Sequence, residues 1–152
     1  MPEAARLIRF ARRLTGSTPA AEDLVQEVLL RAWRSFRQLT PGTSARAWVY
    51  RILVNAFYEQ GRKTRVFPPM AFLESHVPPA AIERQEINQA LDSLPVEQRT
   101  VFLLGVVEGF TCREISDILA VPIGTVMSRL SRARQSLREK LAPERSVAGS
   151  KG

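Results

Sequence analysis

The stretch TCREISDILAVPIGTVMSRLSRARQSLREKL, residues 111–141, reads as two helices joined by a short turn. Thr111 and Glu114 stand three apart, the spacing of a capping box, which marks a helix start. Ile115 and Leu119 give that first helix, Thr111–Leu119, an inward face, and Ser116 is small, as the close crossing of two helices demands. Ala120-Val121-Pro122-Ile123 supplies the turn. In the second helix, Pro122–Leu141, the residues Val126, Leu130, Ala133, Leu137 and Leu141 recur three or four apart, which makes one buried stripe. Ser128, Arg129, Ser131, Arg132, Gln135 and Arg138 cover the other faces. Such a helix suits the DNA major groove, where Arg pairs bidentately with guanine while hydroxyls and further Arg grip phosphates. A solvated charged face on a core helix is the commoner origin of this pattern. The capping box and turn directly in front of it favour DNA reading.

Outward from this stretch the apolar spacing is helical almost throughout, and no alternating strand pattern occurs. Toward the N-terminus, helices are predicted at about Ala81–Leu91 and Pro95–Val107. Between Lys63 and Pro79 the period stops, with Pro68-Pro69 and Pro78-Pro79 bracketing an aperiodic run of the kind that behaves as an extended tether. Before it lie three more predicted helices. The first is Glu3–Leu14, with Leu7, Phe10, Ala11 and Leu14 on one face and Gly16 at its end. The second starts at Thr18-Pro19 as cap plus Pro, carries Leu24, Val28, Leu29 and Ala32 inward, and ends near Phe36. After a turn at Thr40-Pro41-Gly42, the third runs from about Ser44 to Gln60. The predicted fold class is all-α: two small helical domains, 1–63 and 81–142, joined by a flexible linker at 64–80, the second containing the helix-turn-helix, with a disordered tail at 143–152.

The charge points to a polyanion. The chain of 152 residues has 22 Lys and Arg against 15 Asp and Glu, a formal net charge of +7. Residues 1–65 hold twelve basic and five acidic side chains, and residues 96–152 hold nine and six, so the two predicted domains are the basic blocks. One cysteine, Cys112, rules out an internal disulfide and fits a reducing cytoplasm. No apolar run approaches the roughly 18 residues of a membrane span, so membrane insertion is not expected. His76 stands without a second ligand-type residue at metal-binding spacing, and Cys112 reads as a plain first-turn residue. No Ser/His/Asp set, phosphate-cradling Gly loop or paired-carboxylate cluster appears, so no catalytic residue, metal site or cofactor is expected.

Three clusters mark the first half. Asp23, Gln26, Glu27 and Leu30 fall at helical spacing and present an acidic-polar edge. Arg46-Ala47-Trp48-Val49-Tyr50-Arg51-Ile52 sets aromatics among arginines, and Asn55 to Lys63 ends in a basic run. Aromatics interleaved with cations suit unpaired DNA, because a ring stacks on any exposed base while Arg and Lys follow the backbone. The alternative is an ordinary core aromatic, which is the reading preferred here for Trp33, Phe36 and Phe57.

On these residues the chain resembles the sigma factors of RNA polymerase. DLVQEVLLRAW at 23–33 is similar to the family's polymerase-binding helix, RAWVYRILVN at 46–55 to the segment after it, and LPVEQR at 94–99 with residues 108–134 to its C-terminal domain. The arrangement, two such regions and a short linker, resembles the extracytoplasmic-function (ECF) group. The resemblance implies that Asp23, Gln26 and Glu27 dock on a basic coiled coil of the polymerase clamp. It places Trp48, Asn55, Tyr58, Arg62 and Lys63 where the minus-ten element is opened and read. It places Ser128, Arg129 and Arg132 on the helix entering the major groove at the minus-thirty-five element, with Arg113 and Thr125 near the backbone. Core RNA polymerase, promoter DNA and an anti-sigma factor are the implied partners. Two departures stand out. Met127 occupies a position where the family usually carries Lys or Arg, and Gly61, which disfavours helix by about 1 kcal/mol relative to Ala, falls where the family continues its helix.

Two rival functions remain at this stage. A helix-turn-helix regulator acting without polymerase leaves the Asp23/Gln26/Glu27 edge unexplained. A sigma-like adaptor that only sequesters an anti-sigma factor is expected to have lost its basic face, which Arg129, Arg132 and Arg134 contradict. The aperiodic tether makes a direct prediction: limited proteolysis of the free protein cuts first between Lys63 and Ile82. Helical cleavage ahead of that span would contradict the two-domain reading.

Overall fold

The computed structural model describes residues 2–39, 42, 44–64 and 82–141. Among the described residues seven α-helices carry the fold: α1 (Pro2–Thr15), α2 (Thr18–Ser35), α3 (Ala45–Thr64), α4 (Ile82–Asp92), α5 (Val96–Phe102), α6 (Cys112–Leu119) and α7 (Ile123–Leu141). A 3-10 turn follows α2 at Phe36–Gln38, and a π turn follows α5 at Leu103–Val107. The linker and tail expectations, His76, and Thr40-Pro41 of the predicted turn lie outside the described residues.

The first unit is α1 to α3. Gly16 takes a left-handed φ of 76° and donates its N–H to the Arg12 carbonyl at 2.8 Å, which closes α1 where the sequence places the stop. Helix α2 starts differently from expectation. Its cap is Ser17, not Thr18: the extended Ser17 backbone (φ −146°, ψ 133°) lets its Oγ accept from the Ala20 N–H at 3.3 Å. Thr18 is then the first helical residue, and Pro19 sits in the first turn, where no N–H is needed. Leu7, Phe10, Ala11 and Leu14 of α1 are all buried, against Ala21, Leu24, Val25 and Val28 of α2 and Leu53, Val54, Ala56 and Phe57 of α3. Each large side chain so buried contributes about 1.5–3 kcal/mol. Leu29, expected inside, is exposed. Helix α3 runs through Gly61 to Thr64, beyond the predicted end, because Gly61 is itself buried and tertiary packing outweighs its poor propensity.

In the second unit Leu91, Leu94, Val101, Leu103, Leu104, Ile115, Ile118, Val126, Ala133 and Leu137 form the core. The helix predicted at Pro95–Val107 divides at Leu103 into α5 and the π turn, which ends with the Glu108 N–H on the Leu103 carbonyl and the Phe110 N–H on the Leu104 carbonyl, both at 3.0 Å. Gly105 lies inside that turn, and a Cβ there would stand 3.3 Å from Ile115 Cδ1, so its small size lets α6 approach. The LPVEQR segment proves structural: Arg99 is only 3 % exposed and pairs with Asp92 at 3.2 Å. Burial lowers the Arg99 pKa, and the neighbouring Asp92 charge opposes that loss.

The helix-turn-helix forms as read. Thr111 Oγ1 accepts from the Glu114 N–H at 3.1 Å, and Glu114 Oε1 accepts from the Thr111 N–H at 2.9 Å. Ser116 has a second task, donating its hydroxyl to the Val121 carbonyl at 2.6 Å and so tying the turn. The inward face of α6 is Ile115 and Ile118, with Leu119 only partly buried, and the α7 stripe loses Leu141 to solvent. Ala120 takes the left-handed conformation, φ 55° and ψ 47°, which costs a residue with a Cβ about 1–2 kcal/mol. Ala120→Gly is therefore expected to raise the melting temperature, by about 0.5–1 kcal/mol of stability after the entropy cost of glycine. A fall in melting temperature would mean that the turn is not strained.

Candidate nucleic-acid interface

At 3.6 residues per turn, Trp48, Arg51, Ile52, Asn55 and Glu59 share one face of α3. With Arg31, Arg34, Ser35 and Gln38 from α2 and the 3-10 turn they line a groove of about 360 Å³. Trp48 is half-buried at its wall, Asn55 is exposed, and the groove carries three guanidinium groups and one carboxylate. Arg31 is held in place: Nε is 3.0 Å from Glu27 Oε1 and Nη2 is 2.8 Å from Glu59 Oε2. The Glu59 and then the Glu27 hydrogen bond raise its pKa further above the usual range. A cationic groove walled by an aromatic ring and an amide fits an unpaired base and its phosphates.

Tyr58 is not part of that groove. Its hydroxyl donates to Thr100 Oγ1 of α5 at 3.1 Å, and burial pushes its pKa up, opposed by the Thr100 hydrogen bond. The backbone of Arg62 and Lys63 continues α3, while their side chains lie outside the described residues. The structure thus brings Trp48 and Asn55 together and separates Tyr58 from them.

On α2, Asp23 and Gln26 are exposed, and Glu27 is half-exposed and engaged with Arg31. The core reading holds for Phe57, which is 3 % exposed, and fails for Trp33 and Phe36, which are 81 % and 60 % exposed. Leu29 and Leu30 are exposed too, so the polar edge continues into an apolar strip. Leu30 and Trp33 follow Gln26 and Glu27 at helical spacing, but that spacing is the same for an aromatic that packs inside the chain and for one that faces out. A contiguous exposed apolar strip rimmed by charge marks a protein-binding surface.

On α7, Ser128 and Arg132 are exposed, Thr125 and Arg129 half-buried, and Arg113 projects from the first turn of α6. Ser131, Arg134, Gln135 and Arg138 extend the exposed polar surface. Ile123 and Met127 are exposed at the start of α7, so an apolar patch adjoins the polar surface there. Among the described residues no helix is long and apolar enough to cross a membrane.

Fold and surface together define an all-helical protein of two small units, with cationic surfaces on α3 and α7 and an exposed acidic and apolar edge on α2. Residues 2–66 match the family description Sigma-70 region 2, and residues 84–137 match Sigma-70, region 4. The chain belongs to the ECF RNA polymerase sigma factors, a family of regulatory transcription initiation factors. It is 38 % identical over 149 residues to the ECF RNA polymerase sigma factor SigE of Mycolicibacterium smegmatis, covering 90 % of this chain and 58 % of that one. It is 37 % identical over 135 residues to the ECF RNA polymerase sigma factor EcfG of Rhodopseudomonas palustris, covering 84 % and 75 %. Among solved structures, the sigma factor RpoE of Bartonella quintana, crystallised with the anti-sigma factor NepR, superposes with a TM-score of 0.74 at 30 % identity over 92 % of both chains.

The α7 face and the Trp48 groove make separable predictions. Arg132→Ala is expected to weaken binding to duplex minus-thirty-five DNA by about 1–3 kcal/mol and relax preference at one or two positions. Trp48→Ala leaves duplex binding intact and impairs strand opening, with about 1–3 kcal/mol of stacking lost, and a pre-melted template rescues it. Rescue of both variants, or of neither, would return Trp48 to a packing role, provided its thermal melt is unchanged.

Proposed function

We propose that this chain binds core RNA polymerase, carries it to promoters with minus-ten and minus-thirty-five elements, and supports strand opening without chemistry of its own. One observation supports the reading: a single chain carries an exposed acidic and apolar edge on α2 together with two separate cationic surfaces, the Trp48 groove and the outer face of α7. A duplex-only regulator has no use for the first.

The working division follows the sequence: residues 1–63 for polymerase and the minus-ten element, 81–142 for the minus-thirty-five element, with 64–80 as the connection. Asp23, Gln26 and Glu27 receive cationic side chains of the polymerase clamp, and Leu30 and Trp33 supply the apolar anchor that makes such a contact strong. Arg31 orients Glu27 for that task. In the groove a flipped base stacks on Trp48, Asn55 reads its edge, and Arg34 and Arg51 meet the backbone. Arg62 and Lys63 extend the cationic track, and Tyr58 joins it when the second unit moves away. On α7, Arg129 and Arg132 read base edges and Ser128 holds phosphate, with Arg113 and Thr125 on the flanking backbone. An anti-sigma factor is a further partner, supported by the NepR complex of the similar Bartonella protein. The cytoplasm is the proposed site of action.

Reversing both charges in Asp23→Lys/Glu27→Lys removes two charge-assisted contacts, about 3 kcal/mol or more, and should lower affinity for core polymerase at least about a hundredfold. Trp33→Ala should cost about tenfold. Both variants are expected to keep wild-type helical circular dichroism, and run-off transcription should fall in parallel. Undiminished binding by the charge-reversed variant would refute the docking edge.

A further inference from the structure

Helix α7 buries Val126, Ala133 and Leu137 in the second core and turns Ser128, Ser131, Arg132 and Gln135 outward. That outer surface is not uniformly polar. At the start of the helix Ile123 is 46 % exposed and Met127 is 56 % exposed. They stand four residues apart, so they share one flank of the helix, and Ser131 continues the same line a turn further on. Gly124 lies one turn before both Met127 and Ser128, and a Cβ there would meet nothing within 4 Å. The beginning of α7 therefore presents an open notch with an apolar side chain on one side and a hydroxyl on the other.

We propose that Met127, with Ile123 beside it, is a specificity-determining residue that packs on the 5-methyl group of one thymine in the major groove of the minus-thirty-five element. The inference rests on the function proposed above and deepens it by assigning one base that the second unit prefers.

Chemistry narrows what an apolar side chain at this place can meet. The surface running on through Ser128, Ser131 and Arg132 consists of hydrogen-bond donors, which suit phosphate oxygens and the acceptor atoms of bases. A thioether gains nothing from a phosphate and has no proton to give to guanine or adenine. In the major groove the apolar group that base pairs expose is the thymine 5-methyl. Methionine suits it, because its unbranched, polarizable side chain adjusts to an irregular apolar contact. The second helix of a helix-turn-helix touches base edges with its N-terminal residues, and Met127 lies in the second turn of α7. Spacing then ties the methyl to the base read by Arg132. Met127 and Arg132 are separated by about 7.5 Å along the axis at 1.5 Å per residue, which is about two base-pair steps of 3.4 Å. The thymine accordingly belongs about two base pairs from the guanine that Arg132 contacts.

The test uses holoenzyme assembled from the full chain and core polymerase to select duplexes from a library randomised across the minus-thirty-five element. Each thymine of the selected sequence is then replaced by deoxyuridine, which lacks only the methyl group. At one thymine the wild type is expected to lose about fourfold in affinity, the contribution of burying one methyl. Met127→Ala should bind the thymine duplex about fourfold more weakly or worse and no longer distinguish thymine from uracil, whereas Met127→Leu should keep the distinction. Met127 is exposed, so both variants are expected to melt at the wild-type temperature. A selected sequence in which no thymine responds to loss of its methyl would overturn the inference, as would uracil sensitivity that persists in Met127→Ala. Weaker assembly of Met127→Ala with core polymerase in the absence of DNA, with uracil sensitivity unchanged, would also overturn it and assign the apolar pair to a protein contact. Wild-type holoenzyme that selects no sequence at all would overturn the proposed function and this inference with it, whereas a selected sequence indifferent to uracil overturns the inference alone.

Discussion

Tyr50 stands edge-on between two aromatic rings, Phe10 of α1 at 5.1 Å and Phe110 ahead of α6 at 5.2 Å, and its hydroxyl reaches the Glu108 carboxylate. Half of this side chain belongs to the core of the first unit and half to the contact with the second. Burial and then the Glu108 hydrogen bond push the phenol above its usual value of 10.0, so it stays protonated and donating through neutral pH. Its contribution is fully present below about pH 10 and is lost as the pH rises through the elevated value. Together with Leu53, Val54 and Phe57, which are buried in the core, this residue fixes how α3 is rotated and so the direction in which the Trp48 groove opens.

Helix α3 is consequently a shared element, and helix geometry lets it be so. Trp48, Arg51, Asn55 and Glu59 look one way, Arg46 and Tyr50 the other, and Leu53, Val54 and Phe57 close the first core. Helix α2 divides its surface in the same manner, with Leu24 and Val28 inside and Asp23, Gln26 and Leu30 outside. Arg31 links the two helices through Glu27 and Glu59, but these pairs are well exposed and each contributes at most about 1 kcal/mol. Their value is orientation: they keep a guanidinium at the groove and a carboxylate at the docking edge.

Much of the fold was legible because helix signals are local. The Thr111/Glu114 box, the Gly16 stop, the face of α1 and the α7 stripe from Val126 to Leu137 are written in adjacent turns, and each forms as read. The shift of the α2 cap from Thr18 to Ser17 is a one-residue matter that two adjacent hydroxyl residues leave open. The π turn at Leu103–Val107 was hinted at by Gly105-Val106-Val107, poor helix formers in a row, but its hydrogen bonds are selected by where Phe110 must pack. For the candidate site, the polar residues of α2 and α7 could be named from spacing. The exposed strip of Leu30, Trp33 and Phe36 could not, since an aromatic at helical spacing looks the same whether its partner is this chain or another.

The sequence by itself determined seven helical segments, two basic blocks around an aperiodic tether, the helix-turn-helix and the residue types able to grip DNA, because caps, turns and apolar period act within a few residues of one another. Only tertiary structure decided which aromatics are sealed and which are offered, that LPVEQR buries Arg99 on Asp92, that Gly61 stays helical, and that Tyr58 leaves the Trp48 groove for Thr100. Those outcomes depend on pairs 7 to 62 residues apart, such as Arg99 with Asp92 and Arg46 with Glu108. Whether such a pair forms is settled by which faces remain after the local helices have packed, and no local pattern encodes that remainder.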